Sequence, residues 1–199
     1  MLVAALHQGI ADGLPDRLEF YENWLNPRGL RDGTIGLAPL HAVLSFLRTE
    51  GHAVYGDVTA RAGTYAADWT VDELPAWRRK MVAGLPLALR RRAALGLTRT
   101  LIGRAYTGTR AKARVRRGVG LLDVHSSIFC GVRARTAHPL CQFYAAAAVR
   151  VLARLDIDAD AAVTACQATG EPSCHVQVLM GPALVERRAA LAASGGPAA

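Results

Sequence analysis

The chain has 199 residues, of which 51% are hydrophobic, and its formal net charge is +8. These values exclude a disordered or fibrous protein and supply enough apolar material for a core of its own. No run of about 18 apolar residues free of charge occurs, which argues against a membrane-spanning helix.

The N-terminus does not resemble a secretion signal. The short apolar stretch at residues 2–6 has no basic leader, and acidic residues from Asp12 onward follow it closely. We therefore expect a cytoplasmic protein. In that reducing compartment, clustered cysteines are more often metal ligands or redox groups than stable disulfides.

The first half of the sequence predicts helices. An apolar stripe with i, i+3, i+4 spacing predicts a helix over residues 35–47, begun by a turn at 32–34 and stopped by Gly51. Further helices are predicted over residues 54–69 and 87–106. This part of the chain is therefore expected to form a helical layer.

Between those helices, Thr70 and Glu73 have the spacing of a capping box. In that motif the first side chain accepts a hydrogen bond from the backbone, and the second bonds back. The pattern predicts that a helix starts at Thr70 and continues through Trp77 and Met81.

The second half predicts extended structure around one helix. Apolar and basic residues alternate at 113–116, a turn is expected at 118–120, and one or two strands are expected over 121–132. A helix over 139–155 follows, with Pro139 in its first turn, where proline is tolerated.

Two more strands are predicted at residues 162–168 and 174–180, joined by a turn at 169–173. Beyond Gly181 we expect a short helix at best. The sequence thus indicates an α+β fold.

The domain organisation follows from this order of elements. We expect a single domain over residues 1–185, composed of a mainly helical part at 1–110 and a sheet, helix and cysteine part at 111–181. Residues 186–199 are expected to form a flexible tail.

Positive charge is concentrated in one segment. No acidic residue occurs between Leu74 and Leu122, whereas thirteen Arg or Lys lie between Arg78 and Arg117. Such a segment is typical either of a basic face for nucleic acid, anionic lipid or an acidic ligand, or of a solvated helix surface. The sparse aromatic residues and the lack of a nucleic-acid motif argue against nucleic acid.

Four cysteines fall in the second half, namely Cys130, Cys141, Cys166 and Cys174. Two of them flank the turn of the predicted hairpin and should be opposed on one face, with their β-carbons about 4.5–5.5 Å apart. Cys141, in the first turn of the preceding helix, can approach the same point. The pattern favours a zinc site, since structural zinc takes four ligands and prefers sulfur.

Other interpretations of the cysteines remain open at this point. They can be ordinary buried thiols, or Cys166 and Cys174 can form a disulfide or redox pair across the hairpin. The fourth zinc ligand is expected to be Cys130. The alternative is a histidine, either His125, His138 or His175.

The segment around the cysteines has a recognisable sequence motif. The sequence HPLCQF at 138–143, a helix, and then ACQATGEPSCHV at 165–176 resemble the C-terminal signature of the 4-vinyl-reductase domain family. The resemblance is specific over residues 115–180. The family includes sensory domains of aromatic-responsive activators and a protein of bacteriochlorophyll synthesis, and it is distantly similar to core subunits of the TRAPP tethering complex.

The resemblance implies a TRAPP-core-like fold, in which N-terminal helices pack on a twisted antiparallel sheet. It also implies an apolar internal pocket and frequent dimerisation. In the aromatic-sensing relatives, three cysteines and an upstream glutamate hold zinc, and Cys141, Cys166 and Cys174 match the cysteine positions. No glutamate occurs between Glu73 and Glu171, so Cys130 is the candidate for the missing ligand.

The leading functional hypothesis is a binding or sensor protein for a hydrophobic or aromatic small molecule, with a structural zinc site. Such a protein must pass its signal to a partner protein, and we expect a homodimer. The candidate ligand-binding residues are Trp24, His41, Phe46, Trp69, Trp77, Tyr106, Phe129 and Tyr144.

Two alternatives accompany this hypothesis. The first is a tetrapyrrole-binding protein or enzyme acting on haem or a bacteriochlorophyll precursor. The chain has no dinucleotide-binding glycine motif and no nucleophile–base arrangement, however, which argues against an enzyme. The second is a scaffold or tether whose basic face contacts a membrane or an acidic partner.

Overall fold

A computed structural model describes residues 1–25, 37–131 and 135–194. Four sequence predictions extend outside these residues, one of them the end of the tail predicted at 186–199. The other three concern earlier parts of the chain. They are the turn at 32–34, the start of the helix at residue 35 and the last residue of the strand region 121–132.

The N-terminal half forms a helical layer, as predicted. Its helices are α1 (Leu2–Gly13), α2 (Leu18–Leu25), α3 (Leu37–Thr49), α4 (His52–Asp72), α5 (Ala76–Ala83) and α6 (Leu87–Ala105), with a short 3-10 turn at Pro15–Arg17 between α1 and α2. Gly51 separates α3 from α4 and has a φ of 105°, a backbone conformation that favours glycine. The helix stop predicted at this residue is confirmed.

The capping-box prediction is wrong. Thr70 lies in the last turn of α4, and its hydroxyl donates to the backbone carbonyl of Ala66 at 2.7 Å. Burial explains the longer helix, because Val71 still packs in the core and α4 therefore continues past Trp69. The next helix begins at Ala76, directly after Pro75.

The C-terminal half contains a four-stranded antiparallel sheet. Its strands are β1 (Arg110–Arg116), β2 (Val119–His125), β3 (Ala159–Ala165) and β4 (Cys174–Met180), in the order β1-β2-β4-β3. The turn predicted at 118–120 lies earlier, at Arg117 and Gly118, whose φ values are 49° and 80°. Val119 and Gly120 already pair with β1 and β4.

The predicted hairpin forms with shifted bounds. The strand predicted at 162–168 is β3, which starts at Ala159 and ends at Ala165, and a 3-10 turn at Gln167–Thr169 follows it. A bulge between Val163 and Ala165 shifts the register just before the turn. Gly170 closes the turn with a φ of 105°.

Helices α6 and α7 (Gln142–Ala153) pack on one face of the sheet. Alternate residues of the two central strands face them, and Leu122, Val124, Val176 and Val178 are buried in the core. The helix predicted over 139–155 is thus confirmed, although Pro139 precedes its first turn. One hydrophobic core extends from Leu2 in α1 to Met180 in β4.

A final helix, α8 (Pro182–Ser194), is longer than the short helix predicted beyond Gly181. Two ion pairs tie it to the region of β3, between Arg187 and Asp160 at 3.5 Å and between Arg188 and Asp158 at 2.7 Å. The tail predicted from residue 186 therefore begins inside a helix. Among the helices that the structure describes, none has the length and hydropathy needed to cross a bilayer.

Candidate metal centre

Four separate segments each contribute one cysteine to a single cluster. Cys130 ends the 3-10 turn Ile128–Cys130 that follows β2, and Cys141 immediately precedes α7. Cys166 follows β3, and Cys174 is the first residue of β4. The cluster therefore lies where one end of the sheet meets the start of a helix.

The sulfur atoms are close to one another, and all four lie within 4.8 Å. Cys130 Sγ is 3.1 Å from the sulfur of Cys141 and 3.4 Å from the sulfurs of both Cys166 and Cys174. Cys141 Sγ is 3.2 Å from that of Cys174 and 3.7 Å from that of Cys166. All four are free thiols, so the hairpin disulfide that the sequence left open does not form.

The donor set fits a zinc ion. A tetrahedral site with Zn–S distances of 2.3 Å has sulfur–sulfur edges of about 3.8 Å. The observed separations of 3.1–3.7 Å require only a small outward movement of the sulfurs to reach that size. Sulfur-only donors in this arrangement select zinc or another thiophilic metal over magnesium or calcium.

Backbone amides point at two of the sulfurs. The N–H of Leu140 donates to Cys166 Sγ, and the N–H of Gln167 donates to Cys174 Sγ, each at 3.4 Å. Hydrogen bonds of this kind stabilise negative charge on sulfur and orient metal ligands. They favour the thiolate form that binds metal.

The four thiols influence one another's protonation. Hydrogen bonds from Cys130 and Cys141 lower the pKa of the Cys166 thiol. Hydrogen bonding to Cys130 raises the pKa of Cys141 well above its usual value, and hydrogen bonding to Cys130 also raises the pKa of Cys174. Neighbouring thiolates repel each other, so all four can be ionised together only around a cation.

Cys130, rather than any of the three candidate histidines, completes the cluster. His175 and His125 instead contact Asp123 with their Nε2 atoms, at 3.5 and 3.1 Å. Alternation along β4 directs His175 to the opposite face of the sheet from Cys174. His138 stacks on His52, with ring centroids 4.2 Å apart.

Buried aromatic residues lie near the cysteine cluster. Phe129 and Tyr144 are both buried, and the Tyr144 hydroxyl lies 3.0 Å from Ser127 Oγ. Burial raises the pKa of Tyr144 well above its usual value, so this phenol stays neutral. His41 lies beside Gly131, the residue after Cys130, where an added β-carbon would be 2.6 Å from the His41 Cε1 atom.

A small cleft adjoins the cluster. It has a volume of about 130 Å³ and is lined by Arg48, His52, Tyr55, Thr136, Ala137, His138 and Leu140. The Tyr55 hydroxyl donates to the Leu140 carbonyl at 3.4 Å, and the residue after Leu140 is Cys141. Sequence reasoning missed this cleft, because no short-range pattern relates residues near 52 to residues near 138.

The other predicted ligand-binding residues lie elsewhere. Trp24 packs against Phe46 with ring centroids 5.2 Å apart, and Trp69 lies 6.0 Å from Tyr65. Trp77 is 61% exposed on α5. Tyr106 follows the last residue of α6. A ligand-binding role for the eight residues named from the sequence stays a prediction.

No protein-family model matches the chain, and no curated protein sequence matches it significantly. Among solved structures, the chain is similar to the phenol-responsive sensory domain of the transcription activator PoxR with phenol. The TM-score is 0.53 at 16% identity, over 79% of this chain and 80% of that chain. This likeness shows that the two share an α+β fold.

A second structure is an H-NOX protein from S. oneidensis in the Fe(II)NO ligation state. Its TM-score is 0.43 at 11% identity, over 73% of this chain and 76% of that chain. A likeness at this level carries no argument about this protein.

Proposed function

We propose that this protein is a sensory module of the 4-vinyl-reductase type, which binds a small aromatic molecule and is braced by a structural zinc ion. The observation that carries the proposal is the convergence of Cys130, Cys141, Cys166 and Cys174 from four separate segments. The fold likeness to a phenol-responsive sensory domain supports the sensory role.

The zinc has a structural role in this proposal. Four cysteines fill all four positions of a tetrahedral ion and leave none open for a reactant, which is typical of structural sites. When bound, the ion supplies coordination bonds and positive charge. It thereby ties the end of β2, the start of α7 and the β3–β4 hairpin together.

We place the aromatic ligand in the cleft beside Tyr55. At about 130 Å³ the cleft is small compared with pockets for drug-sized ligands, which are roughly 300–1,000 Å³. It suits a single ring, with the imidazoles of His52 and His138 available to a hydroxyl group. Leu140 forms one wall and precedes a zinc ligand, so ligand binding can change the metal site.

The signal of such a module requires a partner protein. We propose that this partner, or a second copy of the chain, contacts the segment around Leu140 and responds to its position. That segment contacts both the cleft and the cysteine cluster through Tyr55 and Cys166.

Native mass spectrometry of the purified protein, with phenol added, tests this proposal. We expect one zinc ion per chain and saturable phenol binding. His52→Ala should weaken phenol binding about tenfold, the equivalent of one lost hydrogen bond, while zinc stays bound.

Gln8→Ala is the control, because Gln8 lies on α1 and hydrogen-bonds to Asp12, away from the cleft. It should leave both zinc and phenol binding unchanged. If the protein carries zinc but does not bind phenol, the assignment of the ligand is wrong and the zinc site is unaffected. An absorption band of a bound tetrapyrrole would instead favour the haem or chlorophyll-precursor alternative.

A further inference from the structure

A groove with concentrated positive charge lies between α6 and the edge strand β1. Its Gly118 end lies beside Met180, the last residue of β4, whereas Cys174 is the first residue of that strand. Six residue steps of about 3.3 Å separate these two ends by roughly 20 Å. The groove is therefore a separate site from the metal centre and the cleft.

The groove consists of two adjoining cavities of about 590 and 480 Å³. Arg92 and Val115 line both, so the cavities form one continuous surface. Six arginines line it, namely Arg91, Arg92, Arg99, Arg114, Arg116 and Arg117. The apolar residues Leu95 and Ala113 also line it.

Local structure explains this grouping. Arg92 and Arg99 are seven residues apart on α6, which is two helical turns and hence the same side of the helix. On β1, Arg114 and Arg116 alternate with Ala113 and Val115, whose side chains pack against the core. The helical period thus places Arg92 and Arg99 on one wall, and Arg114 and Arg116 line the groove from the exposed face of the edge strand β1.

Carboxylates pair with several arginines outside the groove. In the part of the chain that the structure describes, ion pairs involve Arg17, Arg61, Arg79, Arg150, Arg154, Arg187 and Arg188. Within that same part, none of the six groove arginines is in an ion pair. Like charges held close together raise the electrostatic energy, which a bound anion would lower.

Arg91 supplies a second, independent observation. Its Nε atom is buried and has no hydrogen-bond partner among the described residues. Its guanidinium lies against Gly181, where a β-carbon would overlap with it. A buried donor without a partner costs free energy, and an anion in the groove would satisfy it.

We propose that this groove binds a small free anion with more than one phosphate group. The planar fork of a guanidinium matches the oxygens of a phosphate with two parallel hydrogen bonds. Six such groups along one groove fit several linked phosphates. No aromatic residue lines either cavity, so the groove lacks the stacking platforms typical of single-stranded nucleic-acid sites.

Calorimetric titration with inorganic tripolyphosphate tests the proposal. The double variant Arg92→Gln/Arg116→Gln should bind at least about tenfold more weakly than the wild type, because charge-assisted hydrogen bonds are lost. The matched control, Arg17→Gln/Arg61→Gln, removes the same net charge from ion-paired positions outside the groove. It should keep wild-type affinity.

Folding of each variant is checked by circular dichroism, and Arg99→Gln/Arg114→Gln serves as a second groove variant. Equal weakening in the groove and control variants would overturn the proposal in favour of a net-charge effect. So would binding confined to vesicles containing phosphatidic acid, which would assign the groove to a lipid headgroup. Tighter groove-dependent binding of duplex DNA than of tripolyphosphate would likewise overturn it.

Discussion

Gln167 joins the cysteine cluster to its surroundings. Its backbone N–H donates to Cys174 Sγ at 3.4 Å, and its side-chain oxygen accepts from the N–H of Ser127 at 3.3 Å. Its side-chain nitrogen donates to the carbonyl of Pro172, also at 3.3 Å. One residue thus fixes the hairpin turn and connects it to the turn after β2, so the cysteine positions are set by polar contacts outside the cluster.

Asp68 gives a pH-dependent prediction at the same scale. Its carboxylate accepts hydrogen bonds from Arg150 at 2.8 Å and Arg154 at 2.6 Å, which joins α4 to α7. Burial alone would raise the pKa of Asp68, but these two guanidinium groups outweigh it and hold the pKa below its usual value. The carboxylate therefore stabilises the fold when ionised.

Asp68→Asn should lower the free energy of unfolding by about 1 kcal/mol at neutral pH. A depressed folded-state pKa means that this contribution is complete above the unfolded-state pKa of about 3.9 and fades as the pH falls through the folded-state value. The unfolding free energies of wild type and variant, measured by urea denaturation, should thus begin to converge as the pH falls below about 4. Asp57→Asn, in an exposed pair with Arg61, is the control and should cost less. A pH-independent difference would contradict the prediction.

At the scale of elements, α4 is the central helix of the protein and packs against α1 and α7. Small residues permit the close approach. A β-carbon on Gly63 would overlap with the carbonyl oxygen of Phe143, and one on Gly9 would lie 2.6 Å from the carbonyl oxygen of Val58. These neighbours are backbone atoms, which cannot rotate out of the way.

Gly63→Ala should therefore destabilise the protein by about 3 kcal/mol, as α7 is pushed outward. Gly56→Ala on the same helix is the matched control, because its added methyl group would meet only Gln142 Cγ at 3.9 Å. That control should be neutral or stabilise the fold by about 0.5–1 kcal/mol, because alanine favours the helix. Thermal unfolding of both variants measures the contrast. Equal effects would show that α4 and α7 are less closely packed.

The elements also show what the sequence can predict. Apolar periodicity located α3, because this helix buries Val43, Leu44 and Leu47 on one side. The local capping signal at Thr70 was misleading, because tertiary burial of Val71 extends α4 past that residue. The turn residue Gly170 was predictable because a positive φ requires glycine there.

The candidate site was predictable to a similar degree. Cys166 and Cys174 could be paired from the hairpin turn, Cys141 followed from its place before a helix, and family resemblance supported all three. Cys130 was inferred as the fourth ligand from the lack of a glutamate upstream of Cys141. The cleft could not be predicted, since His52 and His138 meet through the packing of distant segments.

At the scale of the whole molecule, the cysteine cluster joins the two layers of the fold. One hydrophobic core spans helices and sheet, while the cluster links the end of β2, the start of α7 and the β3–β4 hairpin at one edge. Metal that binds only the folded chain adds its binding free energy to folding. If residues 1–185 form one domain, that stabilisation is shared by all of it.

Removing zinc with a strong chelator should therefore lower the unfolding temperature of the entire protein by about 10 °C or more, equivalent to several kcal/mol. Cys174→Ser should reproduce this loss without chelator, and added zinc should not restore it. Thr164→Ser, at an exposed position of β3, is the control and should respond to chelator like the wild type.

In calorimetry we expect a single unfolding transition that shifts to lower temperature when zinc is removed, because helices and sheet share one core. A second unfolding transition that does not change with chelator would show that the chain has two domains. A metal-free wild type of unchanged stability would show that zinc does not stabilise the fold.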